Sequence, residues 1–529
     1  VSDSLEKVVE SSARGGFALI SGSVVASLIL AVGLVVVPRM LGPDDYGIYA
    51  LSFIFSSLLI LVSDFGANAG LTRFSANFHA KGKDRCVADI AKYGLMFKII
   101  ISVVAFAISF IFADYFATVF LNRSDMGFYV RLLSLILPFQ ITFDAINSAF
   151  IGLDYMSHAA TLQILQAIGK VATSIVLVAL GFGVFGAIMG QVIGCLIAGL
   201  AGPILFWFNP YRQLCKGDGS SYSQTGAIKM LVAFGFPLYI SALLSGLIPQ
   251  YQGIILAQFT SDFQIGNFRA ATNLLTLLTM ITLPIRSTLF PAFSKLNPSG
   301  EEIKRFFEVA VKYTTLLVIP ATFLVILFAD DIVLLAYGSN YTLAPLFVSI
   351  FCITYFTTGL GSLVQGAFFN GTGNTWTTFK MTLLSLVVVV PLIPLLTFFY
   401  GVPGLIMAQI SAGLCSTLYG LRVARSRFGV KLSAKSLSKI YLVSAITALP
   451  VAAWLSIFNL WWVWHMILGT AVYVLIWATL VPLTRTISSS ELRNIRNLAE
   501  RRNILRKVMI PILRYEEMLA TAITKTARA

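Results

Sequence analysis

The sequence predicts an all-α polytopic membrane protein: about fourteen transmembrane helices, set as two parallel six-helix lobes plus two C-terminal helices. Three observations predict it. Of 529 residues, 57% are apolar and only 12% charged, against roughly 45–50% and about 25% in soluble globular chains; the mean hydropathy is +0.85. The apolar residues fall in runs of about 20, the length at which a helix crosses about 30 Å of hydrocarbon. A stretch beginning at Gly183 recurs at Gly401. This composition excludes a soluble enzyme, a secreted disulfide scaffold and a disordered chain.

Taken in order, the first run covers 15–37 and ends in the PRMLG of residues 38–42 rather than at a small-residue cleavage site, so no cleavable signal is expected. The second covers 47–65, and a polar segment at 73–92 separates it from the third, 92–113. The fourth, 129–153, and fifth, 160–181, form a hairpin centred near Ser157. The sixth, 183–208, ends at the polar segment 209–228. The seventh, 229–258, carries Pro237 and Pro249, and Pro284 and Pro291 end the eighth, 264–285. Each proline removes a backbone hydrogen bond and bends its helix, as a gate or as a rigid kink. A charged segment at 286–312 precedes the ninth, 312–329. The last five cover 345–369, 378–398, 401–421, 438–458 and 461–482, with a charged segment at 422–439 and a basic tail at 485–529.

Positive charge sets the expected orientation. The N-terminal segment, the even-numbered loops and the tail carry about 32 Lys and Arg; the odd loops and adjoining helix ends carry about four, Arg39, Arg123, Arg131 and Arg269. Both termini are therefore expected in the cytoplasm. The net charge of +15 then reads as a topology signal and lipid-headgroup contact, with no nucleic-acid partner; a partner-docking helix in the tail is the alternative. Two sequons, Asn122-Arg-Ser124 and Asn340-Tyr-Thr342, fall in odd loops. The five cysteines and three histidines are scattered, with no C-x-x-C, so neither a metal site nor a disulfide framework is expected.

The repeat is the clearest internal evidence. GVFGAIMGQ at 183–191 faces GVPGLIMAQ at 401–409, six of nine positions being identical. With a one-residue gap the register extends upstream: Phe150 and Gly152 face Phe369 and Gly371, and Gly47 faces Gly266. Six helices per repeat put both halves in from the same side, as parallel repeats. The expected organisation is an N-lobe at 1–228, a C-lobe at 229–424, two helices at 425–484 and the tail from 485.

Polar side chains within spans face protein or water rather than lipid. Four spans carry them as stripes: Gln140, Asp144, Asn147 and Ser148; Gln163, Gln166, Lys170 and Ser174; Arg269, Thr272, Thr276 and Thr279; Thr354, Thr358, Ser362 and Gln365. Each set fits one helical face. Ser and Thr stripes also glue helices together, but charge in three of the four points to a hydrated cavity. Asp144 and Lys170 lie 13 residues either side of Ser157, hence at similar depth, roughly 15–20 Å above the turn, where they would sit side by side. A structural pair and a switchable pair both remain open. The second repeat has Leu363 and Val388 at the equivalent positions, so a doubled scaffold carries undoubled charges. Lys98, about two turns inside the third span, and Arg269, about one turn inside the eighth, either snorkel or form a cationic cavity for a diphosphate.

No phosphate-binding G-x-x-x-x-G-K-[ST], zinc-protease H-E-x-x-H or framed nucleophile elbow occurs. No large polar loop offers paired carboxylates, and an enzyme is not expected.

Residues 38–51, PRMLGPDDYGIYAL, and 63–74, SDFGANAGLTRF, with Asp64, Gly66 and Arg73, carry a family resemblance. With the helix count and two lobes, the chain resembles, over nearly its whole length, the polysaccharide-transporter branch of the multidrug/oligosaccharidyl-lipid/polysaccharide exporter superfamily, the Wzx-like oligosaccharide flippases. The resemblance implies movement of an isoprenoid-diphosphate-linked oligosaccharide to the outer leaflet by alternating access. It implies membrane lipids and glycan polymerases or glycosyltransferases as partners, and no cofactor beyond Na⁺ or H⁺ coupling. On this reading Lys98, Lys170, Arg269 and Arg131 serve the diphosphate or the cavity potential. Asp144 tunes Lys170 or couples an ion, and Gln163, Gln166 and Gln365 meet sugar hydroxyls. Asp64 and Arg73 form a cytoplasmic gate or cap the end of the second helix. The first helix has no arginine beyond Arg14, a departure from the lipid II flippases of the superfamily; helices 13 and 14 depart from its twelve-helix drug antiporters. A lipid II-type flippase, a cation-coupled drug antiporter and a scaffold for glycan assembly are the alternatives.

Overall fold

A computed structural model of the chain describes residues 2–217, 222–298, 300–457, 462–484 and 486–487. The basic tail at 485–529 lies almost wholly outside the described residues, as does residue 461, the expected start of the fourteenth span. Every regular element among the described residues is helical. The chain divides into two compact units, Val1–Arg269 and Ala270–Ala529.

The first unit contains α1 (Ser2–Leu41), α2 (Pro43–Val62), α3 (Ala67–Ala80), α4 (Asp84–Ile111), α5 (Ala113–Val119), α6 (Gly127–Ser134), α7 (Ile136–Gly152), α8 (Met156–Leu177), α9 (Gly183–Phe206), the single turn α10 (Arg212–Leu214), α11 (Gln224–Phe259) and the opening of α12 (Asp262–Leu274). Helix α8 lies between α1 and α9, and α7 packs on α3, α4 and α9. The α8–α9 contact follows from a glycine every fourth residue of α9: a Cβ at Gly190 would lie 2.1 Å from Ser174 Oγ, and one at Gly194 2.4 Å from the Lys170 backbone N. Without side chains on that face the two backbones pack directly, the usual basis of association where lipid removes the hydrophobic drive. Phe143, Ile146 and Phe150 of α7, Leu162 of α8, Phe206 of α9 and Val87 of α4 fill the core between these helices. The outer faces expose large apolar side chains such as Phe17 and Ile20 of α1 and Ile111 of α4, which a bilayer solvates and water does not.

The sequence pattern of the second span breaks early. Helix α2 stops at Val62, and Phe65 (φ +49°) and Gly66 (φ +76°) turn the chain into α3. The turn is held by contact with α11: the Gly66 backbone touches that of Gly235 so closely that a Cβ on either would overlap the other. Gly47 of α2 meets the Asp262 carbonyl and Gly266 of α12 meets the Pro43 carbonyl, again with no room for a Cβ. These are repeat-equivalent positions, and the contact they make is reciprocal.

The second unit contains the remainder of α12, α13 (Thr276–Ser294), α14 (Glu301–Leu327), α15 (Ala329–Tyr337), α16 (Ala344–Cys352), α17 (Gln365–Gly371), α18 (Thr375–Phe428), α19 (Ala434–Ile457) and α20 (Trp462–Leu483). Between α16 and α17 the chain tightens into a 3₁₀ stretch, Ile353–Leu360, and turns at Gly361 (φ +86°). Phe293, Phe307, Phe368 and Phe369 pack in one of its cores, with edge-on rings at 4.8 Å for Phe307–Phe368 and 5.3 Å for Phe293–Phe368.

Helix length and composition do not by themselves confirm the expected count of fourteen crossings. Ten helices among the described residues are long and apolar enough to cross a membrane, and twelve if the bent pairs Asp262–Met280 with Thr282–Ser294 and Ala344–Leu360 with Gln365–Gly371 each count as one. The shortfall has a physical cause. Expected spans five and six run together as 59 residues, Met156–Leu214, and spans eleven and twelve as 54, Thr375–Phe428. At 1.5 Å per residue each is roughly 80–90 Å long, nearly three times the hydrocarbon thickness. Each is interrupted at a glycine instead of a loop: Gly183 at φ +50°, ψ −133° and Gly401 at φ +61°, ψ −139°. These two glycines open the repeated nonapeptides, so the sequence repeat is also a repeat of backbone conformation. Three residues on, Gly186 packs against the Leu177 backbone and Gly404 against the Leu396 backbone, with no space for a Cβ.

Candidate functional site

The first unit carries a polar network inside otherwise apolar helices. It begins at the break between α2 and α3. Ala67 N–H donates to the Asp64 carbonyl (2.9 Å), so the Ser63 carbonyl has no continuing helix to accept from. Lys98 of α4, only 2% exposed, reaches across and donates to Ser63 O (3.3 Å) and to Asp64 Oδ1 (3.0 Å). The ammonium is thus held by the carbonyl the break releases and the carboxylate next to it. Buried and paired, it satisfies the condition under which a charge is tolerated inside a protein.

The second part is centred on Gln140 of α7. Its Oε1 accepts from Gln166 Nε2 (3.0 Å), from Lys170 Nζ (3.4 Å) and from Cys195 Sγ (3.2 Å); its Nε2 donates to Asp144 Oδ1 (2.9 Å). Gln140 and Asp144 are four residues apart on α7, as are Gln166 and Lys170 on α8, so two i,i+4 pairs face each other across one helix contact. Lys98 pairs with Asp64, while Lys170 and Asp144 share Gln140. Among the described residues Asp144 receives one side-chain hydrogen bond, from Gln140; a carboxylate has about four acceptor sites, so it keeps capacity for a cation, a proton or a donor hydroxyl. About one turn earlier on α8, Gln163 accepts from Ser23 Oγ of α1 (2.8 Å) and donates to Asn147 Oδ1 (3.4 Å).

Several expectations change on this geometry. Asp144 and Lys170 do not form a direct ion pair: Gln140 stands between them, because its longer side chain projects from the same α7 face one turn earlier. Asp64 pairs with Lys98, and the guanidinium of Arg73 lies 4.0 Å from the ring centroid of Phe234 in α11, a cation–π contact. Arg131 pairs with Asp114 at the surface. Gln365 is fully buried in the second unit, where its Nε2 donates to the carbonyls of Leu360 (2.9 Å) and Thr417 (3.1 Å); it braces the broken helix instead of lining an open cavity. Arg269 lies against α11, with Nη2 3.3 Å from where a Gly253 Cβ would stand. Sequence reasoning placed Gln140 in a stripe without making it the centre. Its spacing to Asp144 matches that of Gln166 to Lys170, the available signal. Nothing in the sequence marks Cys195 or the Ser63 carbonyl. Among the described residues no cluster of His, Cys, Asp or Glu suits a metal ion.

Fold and network define a multi-pass helical membrane protein with polar groups inside its helices. The pattern of the polysaccharide biosynthesis protein family matches residues 12–297, more than half the chain, and the chain belongs to that family, the branch expected from its first loop. It is 21% identical over 386 residues to stage V sporulation protein B of Bacillus subtilis, covering 66% of this chain and 72% of that one. It is 22% identical over 339 residues to the probable low-salt glycan biosynthesis flippase Agl15 of Haloferax volcanii, covering 63% of this chain and 66% of that one. The chain thus spans about two thirds of the length of these relatives. Among solved structures it resembles the lipid II flippase MurJ in an inward closed conformation, with a TM-score of 0.69 over 88% of this chain and 98% of that one. At 16% identity that likeness is one of fold.

Proposed function

We propose that the chain is a flippase that carries an isoprenoid-diphosphate-linked oligosaccharide from the cytoplasmic to the outer leaflet by alternating access, in the synthesis of a cell-surface polysaccharide or glycan. Membership in the polysaccharide biosynthesis family is the observation that carries the reading, and a relative named as a probable glycan biosynthesis flippase supports it. The physical task is to take a glycan and a diphosphate through about 30 Å of hydrocarbon. Polar groups inside the helices offer such a cargo replacement hydrogen bonds. No covalent step is required, and the proposal assigns none.

On this reading both termini face the cytoplasm, and glycan polymerases or glycosyltransferases hand over or receive the cargo. Asp144, with unfilled acceptor capacity and Lys170 held one amide away, is the group we assign to Na⁺ or H⁺ coupling. Gln140 is the relay: a change at Asp144 alters the partner that Lys170 shares with it.

The test is inversion of a fluorescent isoprenoid-diphosphate oligosaccharide in proteoliposomes, read as loss of protection from an impermeant quencher. Wild type is expected to invert it, with the rate falling about tenfold or more in Lys170→Ala and Asp144→Asn, as loss of one charge-assisted interaction of about 1.5–3 kcal/mol implies. Absence of inversion under Na⁺ and proton gradients, together with efflux of amphipathic cations, would replace the proposal with the drug-antiporter reading.

A further inference from the structure

The end of α18 carries a feature that the network above does not use. Met407, Ser411, Leu414, Leu418, Arg422 and Arg425 follow one another at steps of four and three, so they lie on one face of the helix. The apolar part of that face is bare: Met407 is 50% exposed, Leu414 37% and Leu418 47%. Ser411 adds no free polarity, since its hydroxyl donates back to the Met407 carbonyl (2.8 Å). The stripe then changes to two exposed arginines, and neither guanidinium has an ion pair or hydrogen bond among the described residues.

At this point the surface is concave. A cavity of about 640 Å³ is lined by Leu418, Tyr419, Leu421, Arg422, Arg425 and Ser426. A second, of about 340 Å³, continues past Arg425 to Lys431. The bend that joins them is built by Gly429, whose left-handed conformation (φ +68°) ends α18 and returns the chain beside it. Glu308 fixes the return by accepting from the Lys431 backbone N–H (3.0 Å). The linings hold three cations and no acid.

We infer that this groove binds the headgroup of an anionic phospholipid from the membrane, its phosphate between Arg422, Arg425 and Lys431 and its acyl chain along Leu418, Leu414 and Met407. The shape argues for a lipid over a free anion, because an apolar track of helix-face side chains leads directly into the cationic cup. Arginines at a helix C-terminus also stabilise the helix through its dipole, but that role carries no headgroup preference. The inference is independent of the flippase proposal, since the occupant is a bulk lipid and the readout is binding.

The test uses the full chain in nanodiscs of phosphatidylcholine. Cys415 is the one exposed cysteine among the five and lies one turn before Leu418; with Cys215→Ser as background it takes a fluorophore. Brominated phosphatidylglycerol is expected to quench it at about fivefold lower mole fraction than brominated phosphatidylcholine, the preference that roughly one favourable charge contact brings. Arg422→Ala/Arg425→Ala should reduce that ratio to about one, and Arg422→Lys/Arg425→Lys should keep most of it. Arg427→Ala/Lys435→Ala removes two nearby charges outside the groove and should leave the ratio unchanged. Equal quenching by both lipids in the parent protein overturns the inference, as does an equal loss in the outside control, which would mean diffuse surface charge. Soluble pyrophosphate should not displace the lipid; full displacement would make the groove a phosphate site and overturn the lipid assignment.

Discussion

At the scale of single residues, the first unit shows how an interior charge is made tolerable. Lys98 takes a carbonyl freed by a helix break and the adjacent carboxylate, so its neutral replacement has an asymmetric cost. Lys98→Ala should lower stability by about 3 kcal/mol, because Asp64 loses its partner next to an unpaired carbonyl. Lys98→Met with Asp64→Leu should recover part of the loss, as a drop and partial return in the melting temperature of detergent-solubilised protein. If the single and double variants melt alike, the pair contributes little. Gln140→Leu is a sharper case, since one substitution strands three donors and removes the hydrogen bond to Asp144. It should cost about 1–3 kcal/mol and abolish inversion more completely than Gln163→Leu, whose side-chain hydrogen bonds among the described residues are to Ser23 and Asn147. The stripe on α7 is legible in the sequence because a helix places Gln140, Asp144 and Asn147 on one face. That Gln140 rather than Asp144 meets Lys170 is not legible, because periodicity specifies a face and leaves the rotation of the neighbouring helix open.

At the scale of elements, glycines set where helices approach and where they bend. Gly194→Val should disrupt the α8–α9 contact, where even a Cβ falls 2.4 Å from the Lys170 backbone; overpacking of this kind costs about 1–3 kcal/mol or more. Gly183 and Gly401 should respond as a pair. Alanine at either must enter a positive-φ conformation that only glycine adopts readily, costing about 1–3 kcal/mol, whereas Gly16→Ala, in a helix with open space around it, should be neutral. Melting of the three variants side by side checks this, and a neutral Gly401→Ala beside a damaging Gly183→Ala would contradict the shared conformation. The nonapeptide repeat is plain in the sequence. Its effect, a sharp turn that joins two crossings without a loop, is visible only in the backbone angles, and it is why counting apolar runs and counting helices disagree.

At the scale of the whole molecule, the distribution of Lys and Arg makes an orientation testable. Cysteines placed at Ser124 and Lys435, in a background with Cys215 and Cys415 replaced by serine, should be labelled by an impermeant maleimide from opposite sides of the membrane, Lys435→Cys from the cytoplasm. Labelling of both from one side would overturn the positive-inside reading. By itself the sequence determined that the chain is an all-helical membrane protein of the polysaccharide-transporter branch. Burying apolar runs and satisfying the backbone in lipid leaves few other solutions, and glycine spacing is written directly in the residues. Only the tertiary structure decided which charges meet. Lys98 goes to Asp64 and Lys170 to Gln140 because the break at Phe65 and Gly66 frees a carbonyl toward α4, and the glycine face of α9 sets how α8 is turned. Electrostatic partners are chosen at distances of about 3 Å, and helix rotations of a few tens of degrees, which no sequence period encodes, change those distances by more than a hydrogen bond can span.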